Sequence, residues 1–122
     1  MTQFLTVDEV IDIHDELSGA PLIDRSKLEG GVMRAQATYE GAYLHPSIHI
    51  QASVLCHSIC QAHEFLDGNK RTAWVSMVTF LSINGIEIAD LSSESVAQYM
   101  EEVAEHIHTE FETAEVLFAL SL

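Results

Sequence analysis

The residues with the most chemistry to offer stand together: His63-Glu64-Phe65-Leu66-Asp67-Gly68-Asn69-Lys70-Arg71-Thr72-Ala73. The run holds a base, a carboxylate, a flexible turn and two adjacent cations, and a helix-forming stretch follows. That order suits a phosphate site at a helix N-terminus, where unpaired backbone N–H groups and the helix dipole favour anions. A histidine takes a proton from a hydroxyl near neutral pH. Asp67 is a hard oxygen ligand, suited to a magnesium ion that also binds phosphates. Gly68 lets the backbone turn and approach an anion closely. Asn69 can cap the next helix and donate to an oxygen. Lys70 and Arg71 can neutralise charge on a transferring phosphoryl group. Taken alone, the same residues read equally well as an Asp-Gly-Asn turn and a solvated first helical turn.

The charge balance sharpens the point. The chain has five Lys and Arg against 19 Asp and Glu, a net charge of −14, and two of the five cations stand in this run. So acidic a chain offers no general surface to DNA or RNA, because nothing repays the phosphate repulsion. The acid excess reads as a solvated surface. With 122 residues, 48% of them apolar, residues 1–122 form one domain with one modest core. No run approaches the length of a membrane span, and no signal-peptide pattern opens the chain. A soluble cytoplasmic protein is expected. Cys56 and Cys60 share a helix face with His49 and His63, which raises zinc. Their setting among Val54, Leu55 and Ile59 reads instead as buried apolar thiols. His106-Ile107-His108 reads as surface rather than chelate.

The elements that must position this run are nearly all helical, so the fold class is mainly α. Thr6-Val7-Asp8-Glu9 is a capping box, followed by Val10, Ile13 and Leu17 at helical spacing. Asp24 caps a second helix with Leu28 and Val32. Gln36 to Leu44, with a turn at Gly41, forms a small hairpin or flap. Pro46 and Ser47 open a helix from Ile48 to Ala62 that is apolar on most sides and therefore buried. His63 falls at its C-terminal end. A second apolar helix runs from about Asn69 to Asn84. Ile86 to Ile88 is a short extended piece. Ser92 or Ser93 caps a helix with Val96, Tyr99, Met100 and Val103. Thr109 and Glu112 form another capping box for a last helix through Leu120.

The central run resembles the signature of the Fic/Doc superfamily, usually His-Pro-Phe-x-Asp/Glu-Gly-Asn-Gly-Arg-x-x-Arg. His63, Phe65, Asp67, Gly68, Asn69 and Arg71 match. Glu64 replaces Pro at a position expected to be surface-like, Lys70 replaces the second Gly, and Trp74 replaces the last Arg. This form is that of the Doc branch, the death-on-curing toxins. Asp24, Leu28-Glu29 and Arg34-Ala35-Gln36-Ala37-Thr38-Tyr39-Glu40-Gly41 are similar to two further stretches of that branch. Phe80-Leu81-Ser82-Ile83-Asn84-Gly85 is similar to another.

The resemblance implies a compact helical bundle with a small β flap. It implies His63 as general base, Asp67 as holder of Mg2+, and Gly68, Asn69, Lys70 and Arg71 as the ATP-binding residues. Gln36, Ala37, Thr38 and Tyr39 would be the flap that docks a target backbone by strand-like pairing. Fic proteins usually transfer AMP, with a Gly at position 70 leaving room and an Arg at position 74 gripping the outer phosphates. An indole cannot neutralise a phosphate. Doc toxins bind the nucleotide reversed and phosphorylate a threonine of elongation factor Tu, which halts translation. The same kinase activity is expected here, with AMP transfer or a non-catalytic binding role as the alternatives. Many Fic enzymes silence themselves with Ser/Thr-x-x-x-Glu-Gly/Asn. Only Glu29-Gly30 and Glu40-Gly41 could end such a segment, and Arg25 and Gln36 stand four residues earlier, so neither fits. Control by a separate Phd-type antitoxin is expected, a segment of it folding as a helix into a groove of the toxin.

Overall fold

The computed structural model describes residues 1–122. Six helices and one hairpin follow in chain order: α1 (Val7–Leu17), α2 (Arg25–Arg34), β1 (Thr38–Tyr39), β2 (Ala42–Tyr43), α3 (Ile48–Ala62), α4 (Asn69–Ile83), α5 (Ser93–Ala104) and α6 (Glu110–Leu120). The mainly α expectation holds, and so does the small hairpin.

Helix α3 is the axis of the bundle and packs on α2, α4, α5 and α6. Its sequence dictates this, since Ala52, Val54, Leu55, Cys56, Ile59 and Cys60 cover too much of the surface for one face to stay wet. Helix α4 lies along it and adds Ala73, Met77, Phe80 and Leu81 to the same core. Helix α1 covers the other side of α4. Its capping box forms as expected: Thr6 Oγ1 accepts from the Glu9 amide at 3.1 Å, and Glu9 returns the bond to the Thr6 amide at 2.9 Å. Arg34, at the end of α2, donates to both carboxylate oxygens of Glu110 at the start of α6 and to Ser58 Oγ on α3. That fork ties three helices at one corner.

The hairpin pairs Thr38 with Tyr43 and Tyr39 with Ala42. Its two turn residues, Glu40 and Gly41, both have positive φ (51° and 82°), which matches the turn to the strand twist. The Tyr43 ring meets Phe4 edge-on at 5.6 Å, and Phe4 stacks on Phe80 at 5.6 Å. The base of the hairpin is therefore pinned to the core while Thr38 and Tyr39 stay exposed. The extended piece at Ile86 to Ile88 finds its partner in the chain end: Ile88 bridges to Ser121, and the Leu122 amide donates to the Glu87 carbonyl.

Helix α6 depends on its cap. Thr109 Oγ1 accepts from the Glu112 amide at 3.1 Å, and Glu112 accepts from the Thr109 amide at 2.8 Å. Thr109→Ala is expected to cost about 1 kcal/mol of stability, read as a lower urea midpoint at an unchanged slope. An unchanged midpoint would mean that α6 is held by packing alone.

Candidate functional site

The chain between α3 and α4 is a short loop bracketed by two left-handed residues. His63 ends α3 at φ 54°, and Gly68 precedes α4 at φ 86°. Histidine tolerates that region better than most residues, and glycine prefers it. Between them Phe65 drops into the core at 2% exposure. The segment before α2 clamps the loop from outside: the Ile23 and Asp24 amides both donate to the Glu64 carbonyl, at 2.8 and 3.0 Å, and the Leu66 amide donates to the Pro21 carbonyl at 3.0 Å. The loop is therefore a fixed mount, which placing reactive groups to small tolerances requires.

Above it lies a cavity of about 350 Å3 lined by Cys60, His63, Leu66, Asp67, Gly68, Asn69, Lys70, Arg71 and Ala104. All six residues singled out from the motif reach one pocket. The flap residues Gln36, Ala37, Thr38 and Tyr39 are not part of its lining. The imidazole of His63 is exposed and makes no hydrogen bond within the protein, and the Asp67 carboxylate is likewise exposed and unpaired. Both are available to a ligand.

Helix α4 begins without a side-chain cap, because its N-cap is Gly68. The amides of Asn69, Lys70 and Arg71 consequently have no partner; the first backbone bond is from the Thr72 amide to the Gly68 carbonyl. Three free N–H groups at the positive end of a 15-residue helix form an anion seat. The structure corrects the expectation that Asn69 is the cap. Its amide is the buckle of the loop instead: Nδ2 donates to the Phe65 carbonyl at 2.8 Å, and Oδ1 accepts from the Phe65 amide at 3.1 Å. An N-cap residue has extended backbone, and Asn69 already sits in the first helical position.

The two motif cations differ. Lys70 Nζ lies 2.9 Å from Glu101 on α5, and that hydrogen bond pushes the lysine's pKa up. Arg71 is exposed and forms no ion pair. Of the other cations, Arg25 pairs with Asp8 and Glu29, and Arg34 with Glu110. Arg71 is thus the one cation in the pocket whose charge is not already matched by an ion pair.

Two side chains beneath the loop depart from the sequence reading. Glu64 is not at a surface: it is fully buried, and neither carboxylate oxygen has a hydrogen-bond partner. Burial pushes its pKa up to about 7. No motif in the sequence points to His14. It is fully buried, stacks on Phe65 with ring centroids 3.7 Å apart, and reaches the Asp67 carbonyl through Nε2 at 2.8 Å. The signal available was its place four residues after Val10 on the inward face of the first helix.

The cysteines behave as buried apolar groups. Cys56 Sγ contacts Met100 Sδ at 3.8 Å, and burial pushes both thiols up, Cys60 to about 11. No three His, Cys, Asp or Glu side chains converge as a metal cage. Asp67 alone still fits magnesium held jointly with phosphates, which asks the protein for one or two carboxylates.

A second cavity of about 540 Å3 runs between α4 and α5. Leu17, Trp74, Val75, Val96, Ala97 and Met100 line it, and it shares Lys70 and Arg71 with the motif pocket. Trp74 turns its indole into this apolar groove.

Known proteins resemble this chain over most of its length. The family model described as Fic/DOC matches residues 4–81, a span that contains the loop, its clamp and most of α4. A protein of Mycolicibacterium smegmatis named Toxin Doc is 36% identical over 107 residues, which cover 85% of this chain and 82% of that protein. This chain belongs to the Fic/DOC family.

Proposed function

We propose that this protein is the toxin of a toxin–antitoxin module and transfers the γ-phosphate of ATP to a threonine hydroxyl of elongation factor Tu, blocking translation in the cytoplasm. The observation that carries the reading is the pairing of an unpartnered His63 with an unpartnered amide seat in one pocket. Its likeness to Toxin Doc supports the toxin role.

In the proposed reaction His63 takes the proton of the target threonine. The threonine oxygen forms a bond to the γ-phosphorus as the bond from that phosphorus to the β–γ bridging oxygen breaks, and ADP leaves. The amides of Asn69, Lys70 and Arg71, with the Arg71 guanidinium, hold the phosphates. Asp67 would hold Mg2+, which when bound supplies charge neutralisation along the phosphate chain. The direction of transfer rests on two positions. Lys70 brings a long cation to the α4 N-terminus, and Trp74 leaves no cation one turn on to grip outer phosphates. Nucleotide seated with its γ-phosphate toward His63 meets both conditions. The free edge and exposure of Thr38 and Tyr39 suit pairing with a target backbone.

Control comes from a Phd-type antitoxin. The α4–α5 groove has the apolar lining that an amphipathic helix needs, and its occupant would cover Lys70 and Arg71 from the side. The test is the intact mass of elongation factor Tu after incubation with the protein, ATP and magnesium. A phosphate-sized gain is expected. An AMP-sized gain would reverse the nucleotide and return the site to Fic-type adenylylation. No gain would remove elongation factor Tu as the target.

A further inference from the structure

We infer that His14 is a positioning residue for the motif loop: from α1 it fixes the Asp67 backbone from behind and so aims the Asp67 carboxylate into the pocket. The inference rests, for its consequence in catalysis, on the reading of Asp67 as the magnesium holder.

Three contacts converge on one ring. Nε2 lies 2.8 Å from the Asp67 carbonyl oxygen, so it donates there. The ring face lies on Phe65 at 3.7 Å with planes 5° apart. A Cβ at residue 68 would stand 3.3 Å from His14 Cδ2 and Nε2 and 3.1 Å from Ser18 Cβ, so the imidazole also packs directly under Gly68. His14 thus touches residues 65, 67 and 68 of a six-residue loop, and the two exposed polar side chains of that loop, His63 and Asp67, hang from the backbone it holds. Nδ1 faces Asp15 Oδ1 at 3.1 Å, which fixes the ring's rotation. A fully buried, polar ring on an element otherwise far in sequence would be an odd core choice without such partners, since an apolar residue packs there without needing hydrogen bonds. Groups one step behind a metal ligand commonly set its orientation, and losing them weakens metal binding about 10- to 100-fold.

The test separates the ring's shape from its N–H. His14→Phe keeps the stack on Phe65 and loses the donor. His14→Gln places an amide nitrogen near Nε2 and keeps the donor. His14→Asn is too short to reach and serves where the Phe variant fails to fold. Hydrogen exchange of the whole protein reads the loop directly, through the Phe65 amide bonded to Asn69 and the Leu66 amide bonded to Pro21. His14→Phe and His14→Asn are expected to speed exchange at these two amides about tenfold, with Cys56 and Ile59 in α3 unchanged. They also raise the magnesium concentration for half-maximal transfer about tenfold, with the maximal rate kept within about threefold. His14→Gln restores both readouts. Wild-type exchange at residues 65 and 66 in the Phe or Asn variant would overturn the inference. So would a folded Gln variant as impaired as Phe, because the ring rather than its donor would then matter. Absence of transfer by the wild-type protein would sink the kinase reading, and the exchange result would still decide this one.

Discussion

Replacing His63 with alanine is expected to lower phosphate transfer on the order of 10³-fold while leaving nucleotide affinity within about twofold, the signature of a lost general base. His63 lies at the mouth of the pocket with no partner inside the protein, so its loss removes no packing and no internal hydrogen bond. The anion seat is built from the amides of Asn69, Lys70 and Arg71, which a change at residue 63 leaves in place. The one structural cost is backbone conformation. Residue 63 sits at φ 54°, where alanine carries left-handed strain of about 1 kcal/mol. His63→Asn is the companion variant, because asparagine accepts that region yet cannot take the proton at neutral pH. Both variants are expected to bind ATP and fail to transfer. Single-turnover transfer beside a nucleotide titration makes the measurement. A tenth of the wild-type rate in either variant would remove His63 from the role of base.

How much of this site was legible from the residues depends on which forces set each position. The mounting of the motif between two buried helices was readable, because Ile48 to Ala62 is apolar on most sides and Gly68 marks the turn. Local chemistry also announced the caps at Thr6, Asp24 and Thr109, each of which forms. The misplacements are tertiary. Asn69 is capable of capping, but Gly68 takes the boundary in a left-handed conformation, and the Asn69 amide turns back to bond Phe65. Lys70 pairs with Glu101 because α5 lies across α4, a register that no local pattern encodes. His14 and Asp67 are 53 residues apart, and only the docking of α1 on α4 brings them together. The surface-like position expected for Glu64 comes from the proline that the family pattern carries there, which says nothing of where a carboxylate would point. The left-handed turn at His63 breaks any alternation, and two consecutive side chains, Glu64 and Phe65, both point inward.

That buried carboxylate carries the second large prediction. Glu64→Gln is expected to stabilise the protein increasingly as pH rises, by about 3 kcal/mol more at pH 8 than at pH 4. The ordinary glutamate value is 4.5, and burial raises it to about 7 in the folded protein. Between those values the folded state keeps a proton that the unfolded chain has released. Stability from this group is therefore full below pH 4.5, falls as pH rises, and is lost above about 7. The gap between 4.5 and about 7 sets the size, at 1.36 kcal/mol per pH unit. Glutamine removes the titration and keeps the shape. Its amide is also buried without a partner, but that cost is the same at every pH and cancels from the comparison. Other carboxylates act with the opposite sign: Glu102, Glu110 and Glu112 are held below the ordinary value by hydrogen bonds, to Gln98, Arg34 and Thr109 respectively, and lose stability in acid. The absolute pH profile therefore mixes both trends, and only the difference between variant and wild type isolates Glu64. Urea unfolding of both proteins at pH 4 and pH 8 gives it. Parallel profiles would show that Glu64 has found a partner in solution. A diverging pair would locate a pH-dependent stability cost in the backbone that carries His63 and Asp67, where the family's usual proline would impose no charge at all.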